Sequence, residues 1–393
     1  MNSTILRAAA CLVLVPALLA PRATQARPPA TPGVTASMIT IGGIIDHSGF
    51  GQTFCRPIEQ GDRLVIDRVN AAGGINGRKI RFITEDDSYV ATNTLPAMRK
   101  LAEQEGVFAI LQVCGSDGTR AVLPYTESHG IPFFDPVSGE VSLAGTHWTW
   151  VTQGQYRDEA AVIARYAFTT LHARRIGLLY QAGEVGDPAL AELQHLLPRL
   201  GASLVTSQPF LAIQFSFAGA LAHLRAAHPD LVIVTGIPTA LAGFMKEAAR
   251  VHYRPPLGFI GTYPLGDQSW IRLGGPEVQG MLVSAYGDIS GRAPATQAFL
   301  RASGGKAQRF SAYEYYGFYN TTLFTVALRD AGRDLTRAGL RHALDTNFRD
   351  YQSGNGPALT FTPTQHLAAN LFALFKVTPN GFTQVTGYQR PLP

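Results

Sequence analysis

The run Val69-Asn70-Ala71-Ala72-Gly73-Gly74-Ile75-Asn76-Gly77-Arg78-Lys79-Ile80 decides how this chain folds. It is entered from a helical pattern over 56–71, whose apolar positions are Ile58, Leu64, Val65, Ile66 and Val69. It is left through a strand, Lys79-Ile80-Arg81-Phe82-Ile83-Thr84. The glycines between the two form a turn. A phosphate loop would also be glycine-rich, but it joins strand to helix, and this one joins helix to strand. Upstream, Met38 to Ile45 is a buried strand. The unit is therefore strand–helix–strand, and two such strands in one sheet run parallel.

The same alternation continues outward. A helix over 92–105 carries Leu95, Met98 and Leu101, and strands follow at Val107 to Val113 and Ile131 to Phe134. It then restarts with a helix over 158–173, a strand at Arg175 to Tyr180, a helix at Leu190 to Leu200 and a strand at Ala202 to Thr206. Next come a helix from Phe217 to Ala227, a strand from Leu231 to Thr235 and a helix from Ala240 to Ala249. This is a second α/β unit of similar size, with no residue-level repeat of the first. Parallel strands covered on both faces are continuous apolar runs, which accounts for 46% hydrophobic against 16% charged residues. In such sheets ligands bind beyond the carboxyl ends of the strands. With two lobes the natural site is the cleft between them, which singles out loops 46–55, 114–119, 135–140, 181–187, 236–239 and 262–266.

Composition removes other classes. A chain of 393 residues is long enough for at least two domains. Its 40 glycines and 25 prolines have no period, which excludes collagen and low-complexity sequence. Apolar and aromatic content excludes disorder. The net charge of +5 is spread without a Lys/Arg block, so no nucleic-acid partner is expected. Arg7 and the apolar run from Ala8 to Ala20 fit a signal peptide, too short to span a bilayer, with cleavage expected near Ala26. A lipid anchor on Cys11 is not expected, because the apolar run continues past it. Cleavage removes Arg7 and Arg22 and lowers the charge to about +3. It leaves Cys55 and Cys114 in an oxidising compartment, periplasmic or otherwise outside the cell. Residues 27–37 are expected as a flexible lead-in.

Chemistry is scarce. The sequence holds no GxSxG, GxxxxGK[ST], GxGxxG or HExxH motif. His223 and His228 lie five apart, on different helix faces, so no metal is expected there. Glu85-Asp86-Asp87 has no adjacent base and is expected to be solvated or to cap a helix. The loops, by contrast, suit a small ligand. Cys114 to Thr119 opens a helix, whose first N–H groups, with the Ser116 and Thr119 hydroxyls, suit a carboxylate; Ser116 as a plain cap is the alternative. Asp135 to Glu140 follows its strand in the same way. Phe54 either stacks on a ligand or belongs to the core.

These segments resemble the leucine/isoleucine/valine-binding protein family, the type I periplasmic solute receptors of ABC importers. The likeness rests on Ile39-Thr40-Ile41-Gly42, Ser48-Gly49, Gly61-Asp62-Arg63-Leu64 and above all the run from Val69 to Ile80. Glu85 to Asp87, Gly106 to Ile110, Gly130-Ile131-Pro132, Tyr313 to Leu328, Ala331-Gly332 and Phe361 to His366 continue it. It spans roughly 38–390 and is stronger in the first half. The resemblance implies two Rossmann-like lobes, each a mostly parallel sheet with helices on both faces, joined by a three-crossing hinge. Lobe 1 would be 38–152 with about 285–358, and lobe 2 would be 153–284 with about 359–393. It implies capture of a small amino acid or carboxylate by closure, ABC permease subunits as partners, a monomer, no cofactor, no metal and no catalysis. A sensing module that feeds no transporter is the alternative use of the fold.

Carried over by position, Ser116 holds the ligand carboxylate, with Thr119 near it. Ser138 and Gly139 contact the ligand ammonium and carboxylate, Gly139 without the family's hydroxyl there. Phe54 lines the pocket. In the second lobe Val185-Gly186 stands where relatives often have Tyr-Gly, and Gly236-Ile237-Pro238-Thr239 lacks the family's acid. An unpaired buried ammonium costs several kcal/mol, so an amino-acid ligand requires Glu184 or another acid. Tyr156, Tyr263 and Tyr286, in expected hinge or cleft loops, suit an aromatic or other carboxylate without an amine; ordinary half-buried tyrosines are the alternative. Cys55 and Cys114 follow strands that are neighbours in the family's sheet order, which implies a disulfide, with two free thiols as the alternative.

Overall fold

The computed structural model describes residues 31–214, 216–304, 311–368 and 370–391. The expected signal peptide, 1–26, and the start of the lead-in lie outside them. Residues 31–37 turn back onto the first strand: the Thr40 N–H donates to the Gly33 carbonyl at 2.7 Å, and Val34 pairs with Ile39.

The first sheet is built from β1 (Met38–Ile44), α1 (Gln52–Ala71), β2 (Lys79–Glu85), α2 (Ala91–Arg99), β3 (Ala109–Val113), α3 (Ser116–Ser128), β4 (Phe133–Phe134) and β5 (Thr149–Trp150). Its strand order is β2-β1-β3-β4-β5, all parallel. The chain continues through α4 (Tyr156–Thr169), β6 (Arg175–Gln181), α5 (Asp187–Leu200), β7 (Ser203–Phe210), α6 (Ala218–Ala227), β8 (Leu231–Thr235) and α7 (Pro238–Arg250). Then follow β9 (Phe259–Gly261), α8 (Gln268–Gly274) and β10 (Leu282–Ala285). Helices α9 (Pro294–Ala302), α10 (Ala312–Asp330) and α11 (Arg337–Asn347) come next, before β11 (Ala373–Thr378) and β12 (Gly381–Gln384). The second sheet has the order β12-β11-β10-β9-β8-β6-β7; it is parallel except for β11, which runs antiparallel to both β10 and β12.

Alternating side chains feed a core on each face. In β3, Ala109 and Leu111 join one cluster and Ile110 and Val113 the other. In β8, Leu231 and Ile233 face α4 and α5, while Val232 and Val234 face α6 and α7. The chain crosses between the sheets three times: after Trp150, after Ala285 and before Ala373. Phe299, Phe324 and Leu344 of α9–α11 return to the first core. Residues 359 onward are expected in lobe 2, yet Leu359, Phe361 and Ala368 also pack in the first core. Leu359 is held there by a two-way backbone pairing with Tyr351. The crossing segments themselves pair: the Val151 N–H donates to the His366 carbonyl at 2.8 Å and the Ala368 N–H to the Val151 carbonyl at 2.9 Å.

One contact positions the site. Helices α1 and α10 cross at backbone distance, and a Cβ on Gly61 would stand 1.9 Å from the Glu314 carbonyl oxygen. A Cβ on Gly317 would stand 1.9 Å from that of Ile58. Beneath the crossing Asp62 is fully buried and accepts from the Thr321 hydroxyl at 2.7 Å. This brings Phe54 and Ile58 of α1 beside Tyr313 and Tyr316 of α10.

Candidate functional site

The carboxyl ends of β3 and β4 meet the start of α4 and the end of β9. After β3 the chain turns at Gly115, whose φ of 118° only glycine takes readily and where a Cβ would stand 2.8 Å from the Tyr89 ring. Ser116 then starts α3. After β4, Ser138 donates its hydroxyl to Ser116 Oγ at 3.0 Å. Ser116 Oγ lies 3.1 Å from Tyr156 Oη, and Tyr263 donates to the same Tyr156 oxygen at 3.1 Å. Gln153 Nε2 in turn donates to Tyr263 Oη. A continuous chain of polar groups thus runs from the first sheet to the second. Tyr156 and Tyr263 stack with centroids 5.7 Å apart, and Tyr286 meets Tyr263 edge-on at 5.1 Å. Burial pushes the hydroxyl pKa of all three tyrosines up, so they are neutral donors.

The structure thus brings Ser116, Ser138 and Tyr156 together. Gly139 stands beside them, and its carbonyl accepts the Tyr156 N–H at 2.8 Å. A Cβ on Gly139 would lie 2.6 Å from the Gly154 carbonyl oxygen, which explains why no hydroxyl-bearing residue occupies this position. Phe54, 7% exposed, packs between Tyr89 and Tyr313 with centroids 5.5 and 5.6 Å away. Thr119 is turned elsewhere, toward the Val113 carbonyl at 3.4 Å. Gly236, at φ 148°, packs on Phe210 and Gln181, and its loop is tied down by the Ile237 N–H donating to Gln181 Oε1. Glu184 pairs with Arg120 of α3, a bridge from one lobe to the other. Cys55 and Cys114 are bonded, with Cα atoms 5.8 Å apart, and join α1 to the end of β3.

Other groups were not singled out from sequence. Glu159, one turn into α4, is fully buried and accepts the Tyr263 N–H at 2.7 Å. Burial pushes its carboxyl up to about 8, against the bond from the Tyr263 N–H, so it is protonated at neutral pH. Burial likewise pushes Asp135 up to about 6, although the Thr152 N–H and hydroxyl donate to it. Gln153 and Tyr89 carry no sequence signal. Tyr313, Tyr316 and Tyr319 do: they recur at i, i+3, i+6 on α10, one helix face. The acidic run serves as scaffolding, since Asp86 Oδ1 accepts the His47 and Ser88 N–H groups and Asp87 accepts from Thr94 at 2.7 Å. Among the described residues no cluster of His, Cys, Asp and Glu is arranged for a metal, and no helix is long and apolar enough to cross a membrane.

Comparison with known proteins agrees with this architecture. Residues 38–382 match the family model described as periplasmic binding protein. The leucine-specific-binding protein of Salmonella typhimurium is 23% identical over 226 residues, covering 57% of this chain and 60% of the relative. The match therefore spans less than two thirds of that relative's length. A fatty acid ABC transporter substrate-binding protein from Thermomonospora curvata superposes with a TM-score of 0.83 at 21% identity, covering 91% of this chain and 94% of its own. A branched-chain amino acid ABC transporter protein from Thermus thermophilus with bound valine gives 0.81 at 16% identity, with coverages of 91% and 97%. Two α/β sheets joined by three crossings, with a buried polar site between them and a family match over most of the length, place this chain in the periplasmic binding protein family.

Proposed function

We propose that the chain is the extracytoplasmic solute-binding component of an ABC importer and delivers its ligand to membrane permease subunits. It captures a small carboxylate between the lobes, which close about the crossings near 150–156, 285–294 and 368–373. The supporting observation is the chain Ser138–Ser116–Tyr156–Tyr263, four hydroxyl groups drawn from both sides of the cleft. Hydroxyl donors with the first N–H groups of α3 make a ready anion site. Removal of the leader near Ala26 and work as a monomer outside the cytoplasm belong to the same reading.

A second reading follows from the acids. The loop 236–239 holds none, Glu184 is engaged by Arg120 and Glu159 is neutral. No ionised carboxylate belongs to the polar chain, so nothing in it repays the desolvation of an ammonium. The ligand is then a carboxylate without an amine. Titration calorimetry with leucine and with 4-methylpentanoate, the same skeleton lacking the amine, separates the two readings. The expected result is measurable binding of 4-methylpentanoate and at least tenfold weaker leucine; tight leucine binding overturns the amine-free reading and leaves the solute-binding role intact.

A further inference from the structure

Beside the hydroxyl chain lies a chamber that the carboxylate site does not use. Its volume is about 70 Å³. At roughly 10–15 Å³ for each water-sized position, that is room for about five to seven such positions. The walls are aromatic. Tyr286 comes from the second crossing, Tyr313 and Tyr316 from α10, and Tyr263 from the end of β9. The Tyr313 and Tyr316 hydroxyls donate to the backbone carbonyls of Pro264, at 2.7 Å, and Pro136, at 3.2 Å. Their rings therefore remain as apolar wall, and Ile58, Val137 and Ala285 complete it.

Asp267, Asp288 and Asn355 also line the chamber, but Asp267 accepts the Ser269 and Ala312 N–H groups, Asp288 those of Ser290, Arg292 and Ala293, and Asn355 that of Asp288; Gln153 is left with an open polar atom. Gln153 is 1% exposed, its Nε2 is used on Tyr263, and its Oε1 has no hydrogen-bond partner among the described residues. A buried amide carbonyl without a donor is the exception in folded proteins and calls for one. Gln153 and Tyr263 belong both to the chamber lining and to the polar chain that ends at Ser116 and Ser138. A molecule reaching from those serines into the chamber would pass from hydroxyl donors, through aromatic walls, to an acceptor that lacks a donor.

Building on the carboxylate reading above, we propose that the chamber is the ring subsite. The ligand class is an aromatic carboxylate whose ring carries a hydrogen-bond donor, such as a hydroxyl, on the side away from the carboxylate. Ring faces pack against the tyrosines edge-on and offset, and the donor meets Gln153 Oε1. A site built to receive a ligand hydroxyl discriminates strongly against the analogue lacking it, because its own acceptor is then left unpaired.

Calorimetry with four probes tests this: 4-hydroxybenzoate, benzoate, cyclohexanecarboxylate and leucine. The expected order is 4-hydroxybenzoate, at least tenfold tighter than benzoate, then cyclohexanecarboxylate, then leucine. Gln153→Met keeps the length and removes the acceptor, and should bring the two benzoates within about threefold of each other. Ala285→Leu fills the chamber, and should weaken both aromatic acids at least tenfold. Thermal unfolding of each variant confirms that it is folded. Equal affinity of the native protein for the two benzoates, or an unchanged ratio in folded Gln153→Met, overturns the subsite. Leucine or 4-methylpentanoate binding tighter than either ring overturns it too and leaves the carboxylate reading standing. Failure of every one of these carboxylates overturns both.

Discussion

The two sheets present different faces to the cleft. At the ends of β3 and β4, Ser138 donates to Ser116, which reaches across to Tyr156 on the opposite side. At the ends of β6 and β8, apart from Glu184 on Arg120, polar groups are satisfied within their own lobe: Thr262 donates to Thr235 at 3.0 Å, and Gln181 Oε1 accepts the Ile237 N–H at 3.2 Å. The first side is also stapled, Cys55 to Cys114, directly behind Ser116. The second side is held by packing of Phe210, Phe217 and Phe244. A preorganised polar half facing an apolar, aromatic half suits a ligand with one anionic end and one greasy end. Preorganisation matters on the polar side because binding otherwise has to order the groups that hold the charge.

The largest expected effect lies in the staple. Cys55→Ser should lower unfolding stability by about 4 kcal/mol, the chain-entropy value for a loop of this length. Urea unfolding of oxidised protein against the variant measures it, and a loss below about 1 kcal/mol breaks the contrast between a stapled and an unstapled half. Next comes Glu159 on the opposite side. Its folded pKa, about 8, lies above the unfolded value near 4.5. The folded state therefore holds an extra proton between those values, and stability falls as pH rises through that window and levels off above 8. Glu159→Gln, which stays neutral, should flatten this profile and be the more stable of the two at pH 9. Parallel pH profiles from Glu159→Gln and the native protein would show that this acid is not buried as described.

Smaller effects address the ligand. Ser116→Ala should weaken carboxylate binding by about 10- to 50-fold, near 2 kcal/mol for one hydrogen bond to a charged group, with little change in thermal stability. Affinity unchanged within twofold would move the carboxylate to another end of the cleft. Glu184→Gln should have the least effect, no more than about 1 kcal/mol, because Arg120 is 60% exposed. It should appear as a severalfold faster ligand release, fading in high salt; salt-independent release would mean that the pair does not hold the lobes together.

What could be read beforehand follows the same division. Strand β8 stands out as Leu231-Val232-Ile233-Val234-Thr235 because both its faces are buried, and it occupies those residues in the structure. Strands β5 and β9 have two and three residues, too few for any period to register. Ser116 and Ser138 were legible because loops after parallel strands are where ligands sit. Their partner Tyr263 was legible only as a tyrosine in a cleft loop, since its bond to Tyr156 joins positions 107 residues apart. Glu184 reads as a free acid until Arg120, 64 residues earlier, is placed against it. Gln153 reads as nothing: an amide acquires meaning only from what surrounds it.

The crossing of α1 and α10 at Gly61 and Gly317 has a temporal consequence. At roughly 5–20 residues per second of synthesis, the strands of the first sheet exist for about 10–40 s before α10 does. Through that interval α1 lacks the surface it is shaped to fit, and Asp62 lacks the hydroxyl of Thr321. The half of the protein made first is thus completed late, and the intervening half can fold on its own schedule. Under the export proposed above, such a delay keeps the earliest segment open until the last helices arrive.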